Sequence, residues 1–133
     1  MEMVKDCITV DSLKKKIYNQ DRNLKLVDFF KDYYGKNLEK ARYNFCSSLA
    51  GYSLICYFLQ IKDRHNGNIL LHKDGYIIHI DFGFFLSNMP GKGIELEKAV
   101  PFKLLTEYVE VLGGEQSNYF KTFRKLFYRL KFL

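Results

Sequence analysis

Hydrophobic positions fall into blocks with two different periods. Ile8-Thr9-Val10 is short and β-prone, so residues 1–10 read as an extended piece. Asp11 and Ser12 are helix-capping types ahead of Leu13-Lys14-Lys15-Lys16-Ile17-Tyr18, and the lysine triplet reads as a solvated helix face. After the polar turn Asp21–Asn23, Leu26, Phe29, Phe30 and Tyr33 recur at helical spacing within Leu24–Tyr34, with Gly35 as the stop. Leu38–Ile61 predicts a long, largely apolar, central helix. Two aliphatic runs follow, Ile69-Leu70-Leu71 and Tyr76-Ile77-Ile78-His79-Ile80. His72-Lys73-Asp74-Gly75 between them carries the Asp-Gly signal of a hairpin turn. Pro90, Gly91, Gly93 and Pro101 mark residues 84–101 as a long loop, a length that usually serves function or is disordered. Phe102–Leu112 predicts a helix closed by Gly113-Gly114. Asn118–Leu133 predicts another, with Phe120, Phe123, Phe127 and Leu130 on one stripe. Helices around one hairpin make an α+β domain that is mainly helical.

Composition narrows the class. With 133 residues, 47% hydrophobic and 17% aromatic, the chain has material for one globular core. No internal repeat or low-complexity segment is visible. Three scattered cysteines, Cys7, Cys46 and Cys56, make neither a disulfide scaffold nor a zinc ribbon and read as reduced thiols. The N-terminus is charged and mixed, unlike a signal peptide. Tyr43–Ile61 is uncharged over 19 residues, but Asn44, Ser47, Ser48, Ser53 and Gln60 interrupt it, which favours a buried helix over a membrane span. The net charge of +6 is uneven: residues 118–133 carry +5 and no acid, the rest +1. Such a distribution does not announce a nucleic-acid-binding protein. The basic aromatic terminus reads as a lobe helix with a solvated face, with contact to anionic lipid as the other reading.

The chemistry concentrates on either side of the hairpin. Asp63-Arg64-His65-Asn66-Gly67-Asn68 precedes it and Asp81-Phe82-Gly83 follows it, so the ribbon holds both at one end. Asp63 and Asn68 have the Asp-x-x-x-x-Asn spacing of a kinase catalytic loop, and Asp81 comes thirteen residues later. Phosphoryl transfer needs positioning and charge neutralisation more than covalent help. A carboxylate such as Asp81 is a hard oxygen ligand for Mg2+, and the amide oxygen of Asn68 suits the same ion. Asp63 or His65 suits handling the proton of an attacking hydroxyl. Each element alone is weak; Asp63 could cap a helix and Asn66-Gly67 could be only a turn. Their order across a hairpin carries the inference. His65, His72 and His79 recur every seven residues, but across a hairpin that spacing does not converge, so a shared metal is not expected and His79 reads as a packed strand residue.

The reversed Asp63-Arg64-His65 resembles the phosphoinositide 3-/4-kinase superfamily, where protein kinases have His-Arg-Asp. Lys62 before the Asp, with Asn66-Gly67-Asn68, resembles the phosphatidylinositol 4-kinases. His79-Ile80-Asp81-Phe82-Gly83-Phe84 and Pro101-Phe102-Lys103-Leu104 resemble their type III beta branch, with Leu105 where that branch usually has Thr. The resemblance implies the protein-kinase-like C-terminal lobe, with the hairpin carrying the catalytic loop and Asp-Phe-Gly. It implies ATP and Mg2+ as cofactors, held at Asn68 and Asp81. Asp63, Arg64 and His65 would be the catalytic group, with Arg64 bracing the loop. Leu70 and Ile80 would form part of the adenine floor. Residues 81 to about 102 would be the activation loop that meets the lipid headgroup, with Gly83, Lys92, Lys98 and Phe102 among its substrate-facing residues. The partner implied is phosphatidylinositol in a membrane surface, at the cytoplasmic side of intracellular membranes such as the Golgi. Lys92, Glu95, Glu97 and Lys98 sum to zero, and a neutral loop suits a headgroup with a single phosphodiester better than a polyphosphorylated one. No glycine-rich phosphate loop or phosphate-holding lysine strand is recognisable, so the expectation is a fragment lacking the N-terminal lobe and the last helices, inactive alone. The alternative is a non-catalytic kinase remnant that binds a membrane or a partner.

Overall fold

A computed structural model describes residues 4–83 and 102–132. It is α+β and mostly helical: β1 (Cys7–Thr9), α1 (Val10–Gln20), α2 (Leu26–Tyr34), α3 (Leu38–Leu59), β2 (Ile69–His72), β3 (Ile77–His79), α4 (Thr106–Val111) and α5 (Asn118–Lys131). One-turn 3-10 segments precede α3 (Gly35–Asn37) and β2 (Asn66–Asn68). The expected loop 84–101, with Lys92 and Lys98, lies outside the described residues.

The central helix is α3, about 33 Å long at 1.5 Å per residue. It buries Ala41, Phe45, Cys46, Leu49, Ala50, Leu54 and Cys56 on several sides, because α2, α5 and the sheet all pack on it. Apolar residues around most of its circumference therefore reflect burial within the domain. Among the described residues no helix is long and apolar enough to cross a membrane. The helix ends two residues earlier than expected. Gln60 takes the left-handed conformation (φ 48°), its N–H donates to the Cys56 carbonyl, and Ile61 N donates to the same carbonyl at 3.1 Å. In the core, Phe30 meets Phe45 edge-on at 5.4 Å between ring centroids, and Phe45 meets Tyr108 at 5.7 Å.

The hairpin forms as expected, but it is not alone. β1 pairs antiparallel with β2 in the register Cys7↔His72, Ile8↔Leu71, Thr9↔Leu70, giving a three-stranded sheet of order β1-β2-β3. A 2.7 Å ion pair between Lys73 and Asp6 and a backbone bond from Lys73 N to Asp6 O fasten this edge. At the turn, Gly75 N donates to the His72 carbonyl at 2.9 Å. Gly75 has φ +93°, and an added Cβ would sit 2.7 Å from the Ala41 carbonyl oxygen of α3. Both strain and contact forbid a side chain there. Gly75→Ala is expected to cost about 2–4 kcal/mol of stability, measured by urea unfolding.

Several expectations shift. The α1 N-cap is Thr9, whose hydroxyl accepts from Ser12 N at 3.1 Å, not Asp11 or Ser12. Val10 leaves the strand to become the first buried residue of the helix. In α2 the buried phase is Leu26, Phe30 and Tyr34; Tyr33 faces outward, because the Tyr34 hydroxyl is needed to donate to the His72 carbonyl at 3.1 Å. α4 starts at Thr106, not Phe102: Phe102, Leu104 and Leu105 pack on the core from a non-helical segment, which a helix would splay apart. On α5, Phe123 and Phe127 are buried and Phe120 packs against the core, but Leu130 is 43% exposed.

Candidate functional site

The hexapeptide 63–68 and the tripeptide 81–83 meet at the open end of the hairpin, opposite its turn. The ladder closes with Ile69↔His79, and the Ile80 N–H donates to the Asn68 carbonyl at 2.9 Å. Asp81 follows directly, so Asn68 and Asp81 leave the same end of one ribbon. The expected juxtaposition of the two segments is therefore present.

Arg64 ties the segments together. Its guanidinium is buried at 5% exposure and donates to three backbone carbonyls: Nε to Lys62 at 3.0 Å, one terminal nitrogen to Ile80 at 2.8 Å, and the other to Asp81. The fork of an arginine can serve three acceptors at once, which a lysine ammonium serves less well. The guanidinium carbon also lies 5.4 Å from the Phe82 ring centre. Asp63 and Asp81 both sit at positive φ (60° and 57°), a conformation that Asp tolerates better than most residues. Each is held there by a bond to its carbonyl, Asp81 from Arg64 and Asp63 from Asn68 Nδ2.

Asn68 is buried. Its Nδ2 donates to the Asp63 carbonyl at 2.9 Å, and with the amide nitrogen so engaged its Oδ1 accepts no hydrogen bond among the described residues. The Asp81 side chain is solvent-facing, with one contact from Gly83 N at 3.4 Å. Asn68 and Asp81 each carry a hard oxygen at this end of the ribbon, of the kind a divalent cation takes. Among the described residues no group of three or more His, Cys, Asp or Glu is placed to hold a metal by protein ligands alone.

His65 is exposed. Its Nδ1 accepts from the Gly67 N–H at 3.0 Å, and its Nε2 lies 3.9 Å from Asp63 Oδ2. The ring folds back over Gly67 so closely that a Cβ there would be 2.9 Å from it. Leu70 and Ile80 are half-buried on the sheet face opposite Ile69, Leu71, Ile77 and His79, with Leu70 opposite Ile78 across the ladder. Gly83 is exposed, and Phe102 is half-buried against Phe127, with ring centres 4.7 Å apart.

The three histidines do not converge. His72 lies at the turn beside Asp74 (3.5 Å), and His79 is buried in β3, stacked on Tyr52 at 4.6 Å with Cys56 Sγ 3.7 Å from its Nδ1. Burial, helped by the charge of Arg64, pushes His79 from its ordinary 6.5 down to about 4. The unfolded chain therefore takes up the proton at a higher pH than the folded one. Stability is complete above pH 6.5 and is lost as pH falls toward 4, by up to about 3 kcal/mol. Urea titrations across that window should show this loss, and His79→Leu should flatten it.

Sequence reasoning missed the groove beside His65 and Asn66, lined by Lys14, Tyr18, Lys25, Lys103 and Thr106. It draws on separate elements, so no local motif announces it. Lys14 and Lys25 are paired with Glu107 (2.7 Å) and Glu110 (3.0 Å), whereas Lys103 makes no ion pair among the described residues.

Comparison with known proteins shows the family of the chain. The sequence model of the family described as "Phosphatidylinositol 3- and 4-kinase" matches residues 2–131. The chain is 56% identical over 93 residues to phosphatidylinositol 4-kinase PIK1 of Saccharomyces cerevisiae, covering 69% of this chain and 8% of the yeast protein. It is 47% identical to phosphatidylinositol 4-kinase PIK1a of Candida albicans, covering 92% of this chain and 14% of that protein. Against phosphatidylinositol 4-kinase beta of Danio rerio it is 44% identical over 95% of its own length and 15% of the fish protein. The chain thus spans less than a sixth of the length of these relatives.

Proposed function

The chain belongs to the phosphatidylinositol 3- and 4-kinase family, and on that premise we propose that it transfers the γ-phosphate of ATP to the 4-hydroxyl of phosphatidylinositol as the C-terminal lobe of a larger catalytic core. The family implies a lipid kinase using ATP and a divalent metal; the 4-position, Mg2+ and the division of labour below are our reading. The observation that carries it is the Arg64 brace, which holds the Asn68 and Asp81 ends of the hairpin together.

In this reading Asn68 Oδ1 and the Asp81 carboxylate would hold the Mg2+. When bound, that ion neutralises phosphate charge as it develops during transfer. Asp63 takes the proton of the inositol hydroxyl: its Oδ2 has a 3.5 Å contact from Asn68 Nδ2 but its Oδ1 accepts no hydrogen bond among the described residues, whereas His65 Nδ1 is occupied by the Gly67 N–H. That same bond leaves the His65 proton on Nε2, toward Asp63, where it steadies negative charge. Leu70 and Ile80, on the half-buried sheet face, give the adenine an aliphatic floor, and an N-terminal lobe supplies the rest of the ATP pocket. Lys103, beside His65 across the groove, suits the single phosphodiester of the headgroup. Gly83 and Phe102 flank residues 84–101, whose Lys92 and Lys98 we assign to headgroup recognition. The protein then works on a cytoplasmic membrane face, where the substrate lipid resides.

The test is a transfer assay with labelled ATP, Mg2+ and phosphatidylinositol vesicles, using these residues together with an N-terminal lobe. Labelled product with phosphate at the 4-position is expected. Transfer to another position, or none, overturns the assignment.

A further inference from the structure

We propose that the C-terminal turns of α3 and α5 form a docking surface for an anionic lipid bilayer. The inference rests on the reading above, in which the substrate sits in a membrane. Phe58 and Leu59 of α3, Tyr128 and Leu130 of α5, and Phe132 just beyond are all exposed, Phe132 at 78%. Phe58, Tyr128 and Phe132 are joined into one patch by neighbouring side chains. Tyr57 contacts Phe58 and Phe127 at 5.4 and 5.9 Å, and Phe127 contacts Tyr128 at 5.9 Å. The Lys131 ammonium lies over Tyr57 at 4.8 Å and over Phe132 at 5.4 Å.

Charge decides the occupant. Residues 118–133 contain no acid, and Lys121, Arg124, Lys125 and Arg129 make no ion pair among the described residues. Arg124, Tyr128 and Lys131 form one helical stripe, and Lys125, Arg129 and Phe132 the next. Aromatic side chains interleaved with unpaired cations match the interface of an anionic membrane, apolar below and negative above. An apolar protein partner would leave those cations without counter-charges.

The location fits the chemistry. Leu59 precedes Asp63 by only Gln60-Ile61-Lys62, and Phe102, at the far end of the headgroup loop, packs on Phe127. A bilayer seated on this patch therefore lies beside both segments that would meet its lipid.

Sedimentation of the 133-residue chain with phosphatidylcholine vesicles, with and without phosphatidylserine, tests this. Binding to the anionic vesicles is expected, falling about tenfold or more as salt rises past the point where surface charges are screened. Phe58→Ser with Phe132→Ser, and separately Lys125→Glu with Arg129→Glu, should each weaken it about tenfold with unchanged far-ultraviolet circular dichroism. Equal binding to neutral and anionic vesicles, or binding indifferent to salt, overturns the proposal. So does a Phe58/Phe132 variant that abolishes self-association but leaves vesicle binding intact, which makes the face an interface between copies. Asp81→Asn should not alter vesicle binding, so failure of the kinase assay and failure of docking are read separately.

Discussion

Asp81→Asn is expected to lower phosphoryl transfer to phosphatidylinositol by at least about a hundredfold, the scale on which one lost electrostatic contact to a developing charge is felt. The same variant should unfold at nearly the wild-type denaturant concentration. The asymmetry comes from how Asp81 is used. Its carboxylate faces solvent and, among the described residues, touches only Gly83 N at 3.4 Å, so the fold gains little from its charge. Its backbone does the structural task, accepting from Arg64 through the carbonyl, and Asn keeps that carbonyl. The φ of +57° at this position is also one that Asn adopts readily. What Asn cannot keep is the formal negative charge, which the neutral amide of Asn68 does not supply to the ion either. Steady-state transfer with Mg2+ varied, beside a urea titration of the same preparation, separates the two effects. Near-normal turnover would remove Asp81 from the metal site and leave Asn68 without its partner.

The sequence made the elements around this site legible where short-range chemistry decides them. Asp74-Gly75 specified the hairpin turn because a left-handed residue was needed there, and the close approach of Ala41 confirms that only glycine fits. The spacing of Asp63, Asn68 and Asp81 placed both candidate ligands at one end of the ribbon, because a hairpin must return its ends together. Where long-range packing decides, the sequence was silent or misleading. Nothing local indicates that Cys7–Thr9 adds a third strand, since edge pairing depends on a partner, Leu70–His72, far along the chain. Tyr33 and Tyr34 are equivalent by helical periodicity; the His72 carbonyl selects Tyr34. Phe102 to Leu105 has the composition of a helix start, but burying its apolar side chains on the core holds it open until Thr106. The groove holding Lys103 is assembled from separate parts of the chain, so its unpaired charge appears only once they are brought together.

Arg64→Met should show the opposite pattern to Asp81→Asn: a loss of about 3 kcal/mol or more in stability, or about 10 °C in melting temperature, with activity falling as a consequence. Met fills most of the volume of the arginine stem, so the packing loss is small and the hydrogen-bonding loss dominates. Removing the guanidinium strands the carbonyls of Lys62, Ile80 and Asp81 in a site where the side chain itself is only 5% exposed. Each acceptor left dry costs about 1–3 kcal/mol, partly recovered where water can enter beside Asp81. Asp81, held at positive φ, then loses the bond to its carbonyl and relaxes toward ordinary backbone, whereas the Asp63 carbonyl keeps its bond from Asn68 Nδ2. Arg64→Lys separates charge from geometry. Its ammonium keeps the positive charge but cannot span three acceptors on two segments, so it should recover less than half of the lost stability. Full recovery by lysine would mean that Arg64 acts as a charge near Asp81 and not as a brace. In that case the juxtaposition of Asn68 and Asp81 would have to be maintained by the strand ladder alone, through the single Ile80 to Asn68 bond.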